Sequence, residues 1–374
     1  MPESGTLPQI VHLISSLGVG GAERLLVDFI ASLSPEQARH VTVVVMNEAD
    51  PALLEKLRGG HAKIIAWNRP RGSRDPRYLL RLLGLLDGKR SAILHVHNRG
   101  SKMWAMLVKL IRPRTRVVFT VHAMKVASGY GTLHRRLHNI LVDRTIAISR
   151  AVADECEQSG LHNVVLIKNG VDLARFRSAN EAEACRLQRE PDRVPVIICV
   201  ARLVHAIKGQ DVLIDAAACL KAKGITTRVR LVGSPSSDQP ETPAVLRSLI
   251  ARHGLEYDVE IIEGMADAAG LMRDADICVV PSREEGFGLV ILEAMATGVP
   301  VVTSDLPGPR ELVYPGRTGY LAEPGNADDL ASKMALIMID PAKASAMARE
   351  GRVVAAAHGV DVMRDAYLAL YRSL

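Results

Sequence analysis

Short β-branched runs alternate with longer segments of helical period along the whole chain, a pattern that predicts βαβ units and parallel sheets. In the first half the strand candidates are Gln9–Ile14, Val41–Met46, Lys63–Ala66, Ile93–His97, Val117–Val121 and Thr145–Ile148. Helical patterns fall between them at Ala22–Leu33, Tyr78–Leu86, Lys102–Ile111 and Arg150–Gln158. The polar stretch Ser178–Asp192 then breaks the apolar pattern and reads as part of an interdomain connection. The alternation restarts with Val196–Val200, Val229–Val232, Val259–Ile262, Ile277–Val280, Pro300–Thr303 and Gly319–Leu321. It ends in an amphipathic helical pattern at Val360–Leu374. The expected fold class is α/β. Two Rossmann-like, doubly wound parallel-sheet domains, 1–178 and 179–358, face a cleft, and a helix at 359–374 returns to the first domain. Such a pair puts a site in the cleft, at the carboxyl ends of the strands.

The 374 residues are 48% hydrophobic and 24% charged, which suits two packed domains and excludes a largely disordered chain. Aromatics are only 3%, too few for a nucleic-acid reader built on stacking platforms. The five cysteines (Cys156, Cys185, Cys199, Cys219 and Cys278) are widely spaced and form no CxxC or Cys/His cluster. They suggest neither a disulfide framework nor a zinc site, and Cys199 and Cys278 read as core. No apolar run is long enough to span a bilayer, and MPESGTLPQI lacks a signal peptide's basic start, so a cytoplasmic location is expected.

Charge is uneven. Residues 1–180 carry 26 Lys and Arg against 14 Asp and Glu, whereas the remainder carries 21 against 27. Between Lys56 and Arg136 there are 19 cations and only two anions, Asp75 and Asp87. That excess predicts an anionic partner for the first half.

The sharpest segment is VVPSREEGFGLVILEAMATG, residues 279–298. A strand ends at Pro281, the Glu285-Gly286-Phe287-Gly288 turn follows, and a helix begins near Leu289. Glycines and a helix N-terminus admit a phosphate, while Glu285 and Glu293 offer carboxylates to sugar hydroxyls. GVGGAE at 18–23 lacks the last glycine of GxGxxG, which disfavours nicotinamide binding. His95 and His97, two apart in ILHVHNRG, share one strand face; no carboxylate sits beside them, so packing and cleft-lining roles are expected. Asp274-Ala275-Asp276 spells DxD but precedes its strand, the wrong end for a cleft site, so it reads as structural.

Glu285 to Glu293 resembles the EX7E motif of retaining glycosyltransferases of the GT-B fold, nearest to glycosyltransferase family 4. The resemblance extends to HLISSLGVGGAERLLVDF (12–29), KNGVD (168–172) and DLPGPRELVYPGRTGYLAEPGNADDLA (305–331). It implies transfer of a sugar from a nucleotide-diphosphate sugar with the anomeric configuration kept. By that resemblance Glu293 holds the donor ribose and Glu285 the transferred sugar. Backbone at Gly286, Phe287, Gly288 and Leu289 meets the diphosphate or sugar, Gly20 and Gly21 approach the phosphates, and Gly264 and Met265 lie near the base. Arg202 and Lys208 neutralise the diphosphate, so no metal or other cofactor is needed. The family usually separates that Arg and Lys by four residues; here five intervene. His122, after VVFTV, is placed beside the transferred sugar and the acceptor, with Asn98 and Arg99 as acceptor contacts.

The implied partners are a nucleotide-sugar donor, a glycan, lipid-linked or phosphorylated acceptor, and an anionic membrane surface, with no nucleic acid. The inner face of the cell membrane is the expected place of attachment, through YLLRLLGLL (78–86) and KMWAMLVKLIRPR (102–114), with Arg112, Arg114 and Arg116 among the cations. The setting would be cell-surface glycan or glycolipid synthesis. The rival readings are another GT-B enzyme, such as a nucleotide-sugar epimerase or a sugar phosphorylase, and a non-catalytic binder of anionic surfaces.

Overall fold

The computed structural model describes residues 7–18, 20–86, 92–176, 193–236, 239–264 and 268–374. The expected connection at 178–192 lies outside them, as do Met265 and Cys185. The chain packs as two compact units: residues 1–170 with 360–374, and residues 171–359. The division falls between Gly170 and Val171, ahead of the expected 178.

Unit 1 is built on a seven-stranded sheet. Its strands are β1 (Gln9–Ile14), β2 (Val41–Val45), β3 (Lys63–Ala66), β4 (Ala92–Val96), β5 (Arg116–Val121), β6 (Arg144–Ala147) and β7 (Val164–Leu166). They run in the order β3-β2-β1-β4-β5-β6-β7, every pair parallel. Strands covered on both faces must be apolar almost throughout, and β2 (VTVVV) and β4 (AILHV) are so. β7, only VVL, was too short to register in the sequence pattern.

Unit 2 carries β8 (Val196–Val200), β9 (Arg228–Gly233), β10 (Val259–Glu263), β11 (Ile277–Val280), β12 (Val301–Ser304) and β13 (Gly319–Ala322). The order is β10-β9-β8-β11-β12-β13, again all parallel. Its core packs Ile197, Cys199, Leu231, Ile277 and Val279 against the helices Gln210–Ala222 and Ala327–Met338.

Strand order reverses at β1/β4 in one sheet and at β8/β11 in the other. In doubly wound sheets such reversals open a crevice at the strands' carboxyl ends. Both candidate sites below lie at those ends.

The closing helix is Val360–Arg372, and it belongs to unit 1. Its buried face carries Met363, Tyr367, Leu368, Leu370 and Tyr371. Tyr367 meets Phe29 edge-on at 5.3 Å between centroids, and Arg364 donates to the Ser32 carbonyl at 3.0 Å.

Candidate active site

In unit 2 the chain leaves β8 into Arg202 and folds one short helical turn, His205–Lys208. Gly209 ends it at φ +67°, and a β-carbon there would collide with the Pro281 carbonyl at the end of β11. The two strand ends are clamped together: the Arg283 amide donates to Ile207 O at 2.8 Å, and its guanidinium to His205 O at 2.8 Å. Arg283 also holds Asp211 through two bonds of 2.8 and 2.7 Å, a bidentate pair that fixes the geometry of the guanidinium.

This arrangement delivers Lys208 to Glu285, Nζ to Oε2, at 2.8 Å. Arg202 is exposed, and among the described residues its guanidinium has no hydrogen-bond or ion-pair partner; its carbonyl accepts from Gln210. Gly288, at φ +101°, starts the helix Leu289–Thr297 without any side-chain cap. The Gly288 carbonyl takes the Ile291 amide at 3.0 Å, which leaves the Leu289 and Val290 amides without an acceptor in the helix and open to an anion. Phe287 is buried against His358, and Glu293 is buried one turn into the helix. Burial first, then Cys199 and Glu293, holds the Cys278 thiol far above its usual range, and burial takes Cys199 to about 12; both are inert core groups.

Of the remaining sequence candidates in this unit, Gly264 follows β10 and bonds to the Gly233 carbonyl at 3.3 Å. It lies two strands from the β8/β11 reversal. Asp276 sits at the amino end of β11, where Oδ2 accepts from the Val196 amide at 2.7 Å and from Arg193 at 2.5 Å. Half of the DxD pair thus ties two strand starts together at the opposite end of the sheet from Glu285.

In unit 1 Gly20 caps the helix Gly21–Ala31 in extended backbone. Asn98 caps the helix Arg99–Ile111: its Oδ1 accepts from the Ser101 amide at 3.0 Å and from Ser15 Oγ at 2.6 Å. That oxygen is therefore committed to holding the helix, and only the amide nitrogen is left for a ligand. Arg99 stacks over Tyr130 at 5.6 Å.

His122 follows β5 and ends a chain of buried rings that sequence reading did not assemble. His97 Nδ1 lies 3.3 Å from His122 Nε2, and His97 Nε2 lies 3.0 Å from His12 Nδ1. His95 meets Tyr371 at 2.6 Å and Thr120 at 2.7 Å. Burial lowers His12 to about 3 and His122 to about 4, and pushes His95 and His97 well down too, so all four rings are neutral near pH 7. The nitrogens of His12, His95 and His97 lie within 4.8 Å of one another, a grouping a metal ion can use. Yet each nitrogen of these three rings already has a hydrogen-bonding partner within unit 1. The signal available in sequence was His12 itself, a polar residue between the apolar pairs Ile10-Val11 and Leu13-Ile14.

Lys102 is a second buried group that the sequence did not flag. Its Nζ donates to Tyr130 OH at 2.7 Å and lies 3.9 Å from the centre of that ring. Burial, with Arg99 nearby, lowers its pKa to about 7. A folded-state pKa below the unfolded value of 10.5 means that the unfolded chain holds more protons between pH 7 and 10.5. Stability should therefore rise with pH through that window, by up to about 5 kcal/mol. Denaturant titrations of wild type and Lys102→Met test this; the variant should lose that rise, and parallel pH profiles would refute it.

Residues 19–175 match the family model "Glycosyltransferase Family 4" and residues 183–354 match "Glycosyl transferases group 1". The fold is GT-B, two Rossmann-like domains, as in the Anabaena HepE protein solved with UDP-glucose. That structure is 25% identical, covers 98% of this chain and 99% of its own, and superposes with a TM-score of 0.83. A glycosyltransferase from Rickettsia africae is 20% identical with a TM-score of 0.80 over 98% of both chains. Together the two family models and these neighbours support a GT-B glycosyltransferase. Among curated proteins, D-inositol 3-phosphate glycosyltransferases are similar. That of Thermobispora bispora is 32% identical over 63% of this chain and 58% of the relative, and that of Actinosynnema mirum 35% over 61% and 57%. The chain thus spans a little over half the length of the curated relatives it matches.

Proposed function

We propose that the protein is a retaining, metal-independent glycosyltransferase that moves a sugar from a nucleotide-diphosphate sugar to an acceptor hydroxyl. The observation that carries this reading is the grouping at the β8/β11 reversal: Arg202, without a guanidinium partner among the described residues, the Lys208–Glu285 pair, a helix N-terminus with no side-chain cap and buried Glu293. Arg202 and Lys208 would offset the charge growing on the leaving diphosphate, a role that positioned cations fill in phosphoryl chemistry. Glu285 would accept from hydroxyls of the transferred sugar and Glu293 from the ribose. His122 would serve the transferred sugar, and the leaving diphosphate would help take the acceptor proton. The HepE complex supports a uridine nucleotide as the first probe. Thermal-shift screening of nucleotide sugars tests the reading, since ligand at 100 times Kd adds about 2.7 kcal/mol. Product analysis then distinguishes retention from inversion, and a transferase from an epimerase or phosphorylase.

The acceptor in this reading is a glycan, lipid-linked or phosphorylated molecule presented at an anionic membrane that unit 1 engages. Support comes from three helices of unit 1 that pack side by side: Arg77–Leu85, Arg99–Ile111 and Thr132–Leu141. They expose Leu80, Met103, Leu107, Leu110, Ile111, Leu133 and Ile140 beside the exposed cations Arg81, Arg114 and Arg136. No helix among the described residues is long and apolar enough to cross a membrane. Of the cations singled out from sequence, Arg112 is bonded to Leu86 O at 2.8 Å and Arg116 to Asp143 at 2.9 Å, so both are partly spent on the fold. Arg114→Glu with Arg136→Glu is the cleaner test. Wild type should co-sediment with anionic vesicles and not with neutral ones, salt should weaken this, and the double variant should stay in the supernatant. Equal recovery of wild type in the supernatant with both vesicles at low salt would refute membrane docking.

A further inference from the structure

The buried rings of unit 1 form one continuous hydrogen-bonded path. His12 in β1 and His95 in β4 are register partners, so their side chains share a sheet face with His97. The path runs from Tyr371 OH to His12 Nε2 (3.5 Å), from His12 Nδ1 to His97 Nε2 (3.0 Å) and from His97 Nδ1 to His122 Nε2 (3.3 Å). A side arm runs from Tyr371 OH to His95 Nδ1 (2.6 Å) and from His95 Nε2 to Thr120 Oγ1 (2.7 Å). His12 and His97 stack nearly parallel, 13° apart, and His97 and His122 lie 29° apart.

A neutral imidazole has one N–H and one lone pair, so fixing either nitrogen fixes the other. The path therefore has two ordered proton patterns, and the tyrosine hydroxyl, with a single proton, chooses between them. Its contact to His95 is 2.6 Å and that to His12 is 3.5 Å. The phenol is the more acidic of the two hydroxyls that flank His95 and makes the shorter contact, so the phenol proton goes to His95 Nδ1. His95 then carries its proton on Nε2 and donates to Thr120. The tyrosine oxygen, left with lone pairs, accepts from His12 Nε2–H. His12 Nδ1 accepts from His97 Nε2–H, and His97 Nδ1 accepts from His122 Nε2–H. The outer nitrogen of His122, Nδ1, is left with a lone pair, and among the described residues it has no partner.

We propose that this path locks His122 in its Nε2–H tautomer, so that Nδ1 accepts a hydrogen bond from a substrate hydroxyl, and that Tyr371 is the positioning residue that sets the lock. The role given to His122 rests on the transferase reading; the tautomer itself does not. Tyr371 is contributed by the last helix of the chain, so the state of a residue after β5 is set from the far end of the sequence.

Histidine 15N labelling with long-range proton–nitrogen spectra reads both nitrogens of each ring directly. Wild type should show His122 protonated at Nε2. Tyr371→Phe should move the His122 tautomer ratio by about fivefold or more, the worth of one hydrogen bond. The same change in a His97→Gln background should leave His122 unmoved, because the path is already cut. Kinetically, Tyr371→Phe should lower kcat while the KM for the donor holds. Should Tyr371→Phe not fold, Thr120→Val removes the acceptor at the other end of the side arm and carries the same expectation. An unchanged His122 ratio in a folded variant, with shifts confined to His12 and His95, overturns the proposal. A protein with no transfer activity would count against the function and leave the tautomer result to stand by itself.

Discussion

A Glu285→Gln variant is expected to lose about 100-fold in turnover while binding a bare nucleoside diphosphate as well as wild type or better. The first half follows from losing charge-assisted hydrogen bonds to the sugar, worth ~1.5–3 kcal/mol. The second follows from the ion pair: Lys208 lies 2.8 Å from Glu285 in the free protein, and neutralising Glu285 frees the ammonium for phosphate. Glu293→Ala should behave in the opposite way. Glu293 is buried and assigned to the ribose, so its loss should weaken the nucleoside diphosphate and the whole donor alike by roughly 1–3 kcal/mol. Calorimetry with UDP and steady-state kinetics separate the two, and equal affinity losses in both variants would contradict the division of labour.

Arg202→Ala should cost about 1,000-fold in rate, the lower end of what a single transition-state arginine contributes to phosphoryl chemistry. The side chain is exposed and has no protein partner among the described residues, so the fold should tolerate the change. Urea melts of the variant check this independently. Activity of the wild type should survive exhaustive chelation, because the two cations occupy the electrostatic role a metal would otherwise fill. A strict requirement for Mg²⁺ or Mn²⁺ would overturn that assignment, although Asp276 is fully buried at the amino end of β11 and could not supply the ligand there.

The sheets were legible because parallel strands buried on both faces must be written in Val, Ile and Leu, a signal local to each strand. Glu285 and Glu293 were legible for a related reason, since one strand, one turn and one helix carry both. Lys208 was harder. Its placement depends on Gly209 meeting Pro281 and on Arg283 gripping the 205–208 turn, contacts between segments more than seventy residues apart. The histidine path was less legible still, because it joins β1, β4, β5 and the final helix, and no window of sequence contains more than two of its members. Asn98 was read only as a polar residue after a strand; that its oxygen holds a helix, leaving the amide nitrogen for a ligand, depends on Ser15 and Ser101.

The return of the last helix to unit 1 also bears on how the protein is made. Unit 2 is encoded as one unbroken stretch, 171–359, whereas unit 1 is split around it. At ribosomal rates of about 5–20 residues per second, roughly 10–40 s separate the emergence of β7 from that of Tyr371. Over that interval His12, His95 and Phe29 await the helix that covers them, while unit 2 is being made; its last residue precedes Tyr371 by only 12. A released chain ending at residue 359 should hold a protease-resistant unit 2 and a unit 1 that is still readily cut.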